Sequence, residues 1–227
     1  MKANPASTDR GARRDSHDPR AALRDDRTRL DEVLDLIEDQ VTVGGMQLDL
    51  LRPLDPAALV SEDAFAENEF LPYWAEVWPS ALRLADSLPE HLDGQRVVEL
   101  GCGIGIPSLV AAARGAEVLA TDWAEEALGL LARNAARNGL NVEVARVDWA
   151  APTALIARAP FDLVIAADVL YEARNVAWLL ALLPQLATHV LLADPGRDHA
   201  RDFHRAIVGR YRAVELPGGV FSFEALV

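Results

Sequence analysis

The chain has 227 residues, 51% of them hydrophobic, and a formal net charge of −13, which suits one globular domain with a full core. No apolar run approaches the ~20 residues of a membrane span, and the first residues lack the apolar stretch of a secretory leader. Lys2 is the only lysine and Cys102 the only cysteine, which excludes a Walker-type phosphate lysine or a lysine Schiff base in the folded body, and any internal disulfide; a cytoplasmic protein is expected.

Residues 1–25 are polar, rich in Arg and Asp and without period, and read as a disordered tail. Residues 1–30 carry eight basic groups and five Asp, which leaves −16 on the remainder. Such a body repels phosphate backbones, so no nucleic-acid partner is expected. In "TRLDEVLDLIED" (28–39), Leu30, Val33, Leu34 and Ile37 fall at i, i+3, i+4 and i+7, the spacing of an amphipathic helix. "VTVGGMQLDLLRP" (41–53) reads as a hairpin around Gly44-Gly45. A polar connector follows, and a helix is expected to start near Pro79, a residue tolerated at a first helical position. Residues 26–94 thus form an N-terminal helix, a hairpin and a covering segment.

From residue 95 strands and helices alternate to the C-terminus: "QRVVEL", "AEVLATD", "NVEVARVD", "FDLVIAADVL" and "THVLLAD" are strand-like, with helical patterns between most of them. This rhythm implies an α/β, Rossmann-like, doubly wound and mostly parallel sheet over residues 95–227. The last two strands, "YRAVELP" and "GVFSFEALV", are joined through Pro217-Gly218-Gly219. That is too short for a crossover, so the pair must be antiparallel.

The first of these strands ends in Glu99-Leu100-Gly101-Cys102-Gly103-Ile104-Gly105-Ile106-Pro107. In a doubly wound sheet ligands bind beyond the carboxyl ends of the strands. The dinucleotide fingerprint asks for G-x-G-x-x-G, but the position of its third glycine is Ile106. Pro107 removes an amide that a phosphate would use, and Glu99 is unhelpful beside a pyrophosphate. An acid there suits a ligand with positive groups. Asp122, 21 residues after Gly101, stands where an acid can hold ribose hydroxyls. Asp148 can accept from an adenine amine, with Trp149 over the ring. The competing reading is that each acid only caps a helix.

The segment from about 95 to 168 resembles the class I S-adenosylmethionine-dependent methyltransferases, through E-x-G-x-G-x-G at Glu99 to Gly105 and the ribose acid Asp122. The resemblance implies a seven-stranded sheet with an antiparallel final hairpin and S-adenosylmethionine as cofactor. Trp78, Glu99, Gly101, Gly103, Gly105, Asp122, Trp123, Asp148 and Trp149 are the expected cofactor-binding residues. The fourth strand of the sheet ends in Asp168-Val169-Leu170-Tyr171. A D-x-x-Y ending is similar to that of the seven-strand protein-lysine methyltransferases. "LPYWAEVWPSALRLA" (71–85) and "LLADPGR" (191–197) resemble segments of the electron-transfer-flavoprotein β-subunit lysine methyltransferases; enzymes like nicotinamide N-methyltransferase share part of this pattern.

The resemblance implies a protein-lysine N-methyltransferase, with Asp168 orienting the amine and Tyr171 as a wall or second hydrogen-bond partner. Trp74, Glu76 and Arg197 are the expected substrate contacts. Trp74 and Trp78 would share a face if their segment is helical. A small-molecule amine or heterocycle acceptor is the alternative; a nicotinamide-dependent oxidoreductase and a non-catalytic cofactor-binding module stand further off. The five histidines show no metal-ligand spacing, and no metal is expected.

Overall fold

The computed structural model describes residues 34–59 and 72–226. The expected tail and residues 28–33 of the expected first helix lie outside them.

Strands β1 (Leu36–Val43) and β2 (Met46–Pro53) form an antiparallel hairpin in which Val43 faces Met46. Gly44 and Gly45 lie between them at φ of 62° and 77°, the left-handed pair that a tight hairpin turn requires. The hairpin is longer than expected and overturns the helix over 28–39 where the structure describes it, since Leu36 to Asp39 belong to β1. Pairing with β2, in register from Leu36 opposite Pro53, overrides the local helical period.

After a short 3-10 turn at Tyr73–Ala75 come six α-helices: α1 (Pro79–Ser87), α2 (Ile106–Ala113), α3 (Glu125–Arg137), α4 (Thr153–Ile156), α5 (Ala173–Leu186) and α6 (Asp198–Ile207). Between them run β3 (Arg96–Leu100), β4 (Glu117–Asp122), β5 (Val142–Arg146), β6 (Leu163–Ala167) and β7 (His189–Ala193); β8 (Tyr211–Leu216) and β9 (Val220–Ala225) close the chain. The sequence pattern did not mark α4. Trp78 precedes Pro79 and is extended, at φ −76° and ψ 136°, as the ring of a following proline demands. Trp74 and Trp78 therefore do not share a helix face.

The main sheet has seven strands in the order β5-β4-β3-β6-β7-β9-β8. β3 to β7 are parallel, and β9 pairs antiparallel with both β7 and β8, as the short Pro217–Gly219 join requires. Both faces are covered. Val97 of β3 packs in one core cluster with residues of α1, α2 and α3, while Val98 and Leu100 pack in the other with α5 and α6. The order reverses between β3 and β6, so a crevice opens at their carboxyl ends. Among the described residues no helix is long and apolar enough to cross a membrane.

The small hairpin is held to this body by Asn134 of α3 and by Asn138, the residue that caps its C-terminus. Leu51 N–H donates to Asn134 Oδ1 at 2.7 Å, and Asn134 Nδ2 donates to Leu51 O at 3.0 Å. Asn138 repeats the exchange with Asp49, at 3.0 and 2.8 Å. Four residues of helix rise ~6 Å and two residues of strand ~6.8 Å, so the two amides match alternate backbone groups and cover an open edge of β2.

Candidate active site

Every cofactor, substrate and catalytic residue expected from the sequence lines one cavity of about 690 Å³ at the carboxyl ends of β3 to β7, a size in the range of small-molecule sites. Its floor is the turn from β3 into α2. Gly103 stands at φ 50°, and a Cβ there would come 3.1 Å from the Trp74 carbonyl oxygen, so the half-buried Trp74 backs onto the glycine turn. Gly105, at φ 83°, has a different neighbour. A Cβ on it would come 2.2 Å from Leu131 Cδ1, so this glycine lets α2 pack against α3.

Gly105 is the N-cap of α2 and has no side chain to cap with, and Pro107 has no N–H to offer. Glu99 reaches across instead. Its Oε2 accepts from Ser108 N–H at 3.0 Å and from the Ser108 hydroxyl. Glu99 is 1% exposed. Burial pushes its carboxyl up to about 8, against the Ser108 hydrogen bonds and with the Asp122 charge adding to the rise. The helix-capping reading of Glu99 is thus one of its functions, and the amide a phosphate would want is already taken.

At the end of β4, Asp122 accepts from Gly103 N–H through Oδ2 at 2.9 Å and from Ala124 N–H through Oδ1 at 3.0 Å. Burial raises this carboxyl too, opposed by those amides. Each carboxylate oxygen has a second lone pair, so both can still accept a hydroxyl. Trp123 is exposed, and its carbonyl accepts from Arg146 Nε at 3.0 Å. Beyond β5, Asp148 is exposed and accepts from Ala150 N–H at 2.8 Å. Trp149 is half-buried and would lie 3.4 Å from a Cβ on Gly101.

The other half of the cavity lies beyond β6 and β7. Asp168 is the sole non-glycine residue at positive φ among the described residues, at 59°. Its Oδ1 accepts from Arg197 Nε at 2.7 Å and lies 2.6 Å from Arg197 Nη2 in the ion pair. The Arg197 guanidinium also lies 5.9 Å from the centre of the Trp78 ring. The Tyr171 ring meets Tyr73 edge-on at 5.3 Å, and Tyr73 meets Trp78 at 6.1 Å. Trp78 Nε1 donates to Tyr73 O at 2.7 Å. Burial, with the charges of Glu172 and Asp122, pushes the Tyr171 phenol up to about 12. Glu76 is exposed at the rim.

Sequence reasoning assigned no role to Tyr73, which joins Trp78 to Tyr171, or to Asn175, whose Nδ2 donates to Val169 O at 2.9 Å and ties down the loop of Asp168. Tyr73 falls five residues before Trp78 and shows no helical or strand spacing. Arg197, an expected substrate contact, lines the cavity and pairs there with Asp168. Among the described residues no group of His, Cys, Asp and Glu can hold a metal ion.

The residues present fit S-adenosylmethionine better than a dinucleotide. Two buried acids with raised carboxyls, Glu99 and Asp122, flank the turn, an arrangement that an added cation relieves. The α2 N-terminus offers little to a pyrophosphate.

A family profile described as lysine methyltransferase matches residues 73–201. The chain is 34% identical over 136 residues to the electron transfer flavoprotein beta subunit lysine methyltransferase of Xenopus laevis, covering 56% of this chain and 53% of that one. It is 32% identical over 114 residues to the human histone-arginine methyltransferase METTL23, covering 47% and 60%. The chain thus spans little more than half the length of these curated relatives. Among solved structures, the Thermus thermophilus 16S rRNA N2 G1207 methyltransferase RsmC, in complex with AdoMet and guanosine, superposes with a TM-score of 0.63 at 18% identity, covering 84% of this chain and 51% of that one. That likeness is one of fold.

Proposed function

This chain belongs to the lysine methyltransferase family, and from that premise we propose that it transfers a methyl group from S-adenosylmethionine to the ε-amine of a lysine in a protein. The observation that carries the reading is the carboxylate of Asp168, 8% exposed, which lines the same cavity as the linked rings of Tyr171, Tyr73 and Trp78. A carboxylate among aromatic faces suits an alkylammonium.

Bound in this cavity, S-adenosylmethionine supplies a methyl group on a cationic sulfur. Asp122 would accept the ribose hydroxyls, while Asp148 and Trp149 would hold the adenine. The Gly101 and Gly103 backbone and Glu99 would receive the methionine end, and Trp78 and Trp123 would wall the cofactor. Asp168 Oδ accepts an N–H of the acceptor and aims the nitrogen. Tyr171 keeps its proton at neutral pH, since its phenol is held near 12, so it acts as a hydrogen-bond partner and wall, not as a base. The acceptor's proton therefore leaves to water. Positioning supplies much of the rate of such a displacement.

The test is Asp168→Asn. S-adenosylmethionine affinity by calorimetry should stay within about twofold, because the cofactor contacts are elsewhere. Transfer of labelled methyl to protein should fall by a factor on the order of 10²–10⁴. Full transfer by the variant would remove the acceptor assignment, and label confined to small molecules would move the acceptor to a small amine or heterocycle.

A further inference from the structure

An amine acceptor next to a bare carboxylate has a difficulty: the pairing holds it as an ammonium, which has no lone pair. The chain answers this with a cation of its own. Both Arg197 Nε and Nη2 reach one oxygen of Asp168, at 2.7 and 2.6 Å, and arginine keeps its charge at any working pH. This arginine is not a drifting surface group. Asp194 is 2% exposed, and its Oδ1 accepts from the N–H groups of Gly196 at 2.7 Å and Arg197 at 2.8 Å. The buried acid thus fixes the backbone from which Arg197 reaches Asp168. The Trp78 ring lies 5.9 Å from the guanidinium on the way.

We propose that Arg197 is a positioning residue, the standing counter-ion of Asp168, which holds that carboxylate ready for one hydrogen bond to the acceptor while cancelling the charge that would keep a lysine protonated. The inference deepens the reading of an amine acceptor given above and rests on it. The other charged groups on this side support it. Glu172 pairs with Arg174, Asp194 gives Oδ1 to its loop while its buried Oδ2 has no partner and the residue does not line the cavity, and Tyr73 and Tyr171 are phenols, so exposed Glu76 is the remaining acid lining the acceptor half. On the cofactor side Arg146 pairs with Glu125, and Glu99, Asp122 and Asp148 face the cofactor end.

Two measurements on the full chain test this. The first needs no cofactor: n-butylammonium, the end of a lysine side chain, is titrated near neutral pH and read by tryptophan fluorescence. Arg197→Gln should bind it about tenfold more tightly than wild type, because Asp168 is left without its cation. Arg197→Lys should bind like wild type, Glu76→Gln should move affinity less, and Arg197→Gln with Asp168→Asn should lose the gain. The second follows methyl-lysine formation against pH, with tritiated S-adenosylmethionine and dialysed protein extract from cells lacking the gene. The rising limb for Arg197→Gln should move up by about one pH unit, toward the ~10.4 of free lysine, with Arg197→Lys restoring it. Equal n-butylammonium affinity in wild type and Arg197→Gln overturns the proposal, as does a variant profile lowered by one factor at every pH. A wild type that makes no methyl-lysine defeats the lysine acceptor instead, and the ammonium titration still decides the part played by Arg197.

Discussion

Glu99 serves two neighbours at once. Two residues before the first glycine of the turn, it was legible as an acid facing a cationic ligand. Its second duty, accepting the Ser108 N–H at 3.0 Å, depends on Gly105 and Pro107 leaving the start of α2 short of a cap. Burial lifts its carboxyl from 4.5 to about 8. The folded state therefore holds a proton that the unfolded chain has released across that window. Stability from this group falls as pH rises from about 4.5 through about 8, by ~1.4 kcal/mol for each pH unit crossed at most. Glu99→Gln should remove that fall, so urea unfolding should find the variant gaining on wild type between pH 5 and pH 8; a constant difference would contradict the burial argument. Asp122 is the companion case. Asp122→Ala should weaken S-adenosylmethionine binding by about 1–3 kcal/mol in calorimetry if the carboxylate holds ribose hydroxyls, and unchanged affinity would remove that role.

Elements were legible where one period rules a segment. The strands of the main sheet and the helices α1, α2, α3, α5 and α6 follow the sequence pattern closely, because buried parallel strands are continuously apolar and their helices end at glycines or turns. The first segment misleads for a physical reason. A helical spacing of four apolar residues competes with strand pairing set by the Gly44-Gly45 turn, and the pairing wins over Leu36 to Asp39. What makes the hairpin worth forming lies far along the chain, since Asn134 and Asn138 meet Leu51 and Asp49 across more than eighty residues. No local pattern announces such a contact. Asn134 is fully buried, and Asn134→Ala strands both Leu51 backbone groups; it should cost about 2–4 kcal/mol in urea unfolding. The partly exposed Asn138→Ala should cost ~1 kcal/mol, and equal losses would mean the two amides do not act as described.

At the scale of the whole molecule, the sequence carried the sheet class, the antiparallel ending and the residues that meet around one crevice, because a parallel sheet brings all its strand ends to one side. It did not carry the pairings within the crevice. Asp168 and Arg197 sit 29 residues apart on successive strand ends, and Tyr73 reaches Tyr171 from the segment before the sheet. These depend on side-chain direction, which spacing alone does not specify. The body's charge of −16 outside residues 1–30 of the chain favours a cationic acceptor surface, and the proposed acceptor would meet a cavity lined by the Asp168 carboxylate and by the rings of Tyr73, Trp78 and Tyr171. The most direct test of the account is the chemical identity of the product. Protein labelled by this chain and methyl-tritiated S-adenosylmethionine is hydrolysed to amino acids, and the label is separated by chromatography. The account predicts Nε-methylated lysine, lost in Asp168→Asn; label recovered as methylarginine, or found only outside protein, would contradict it.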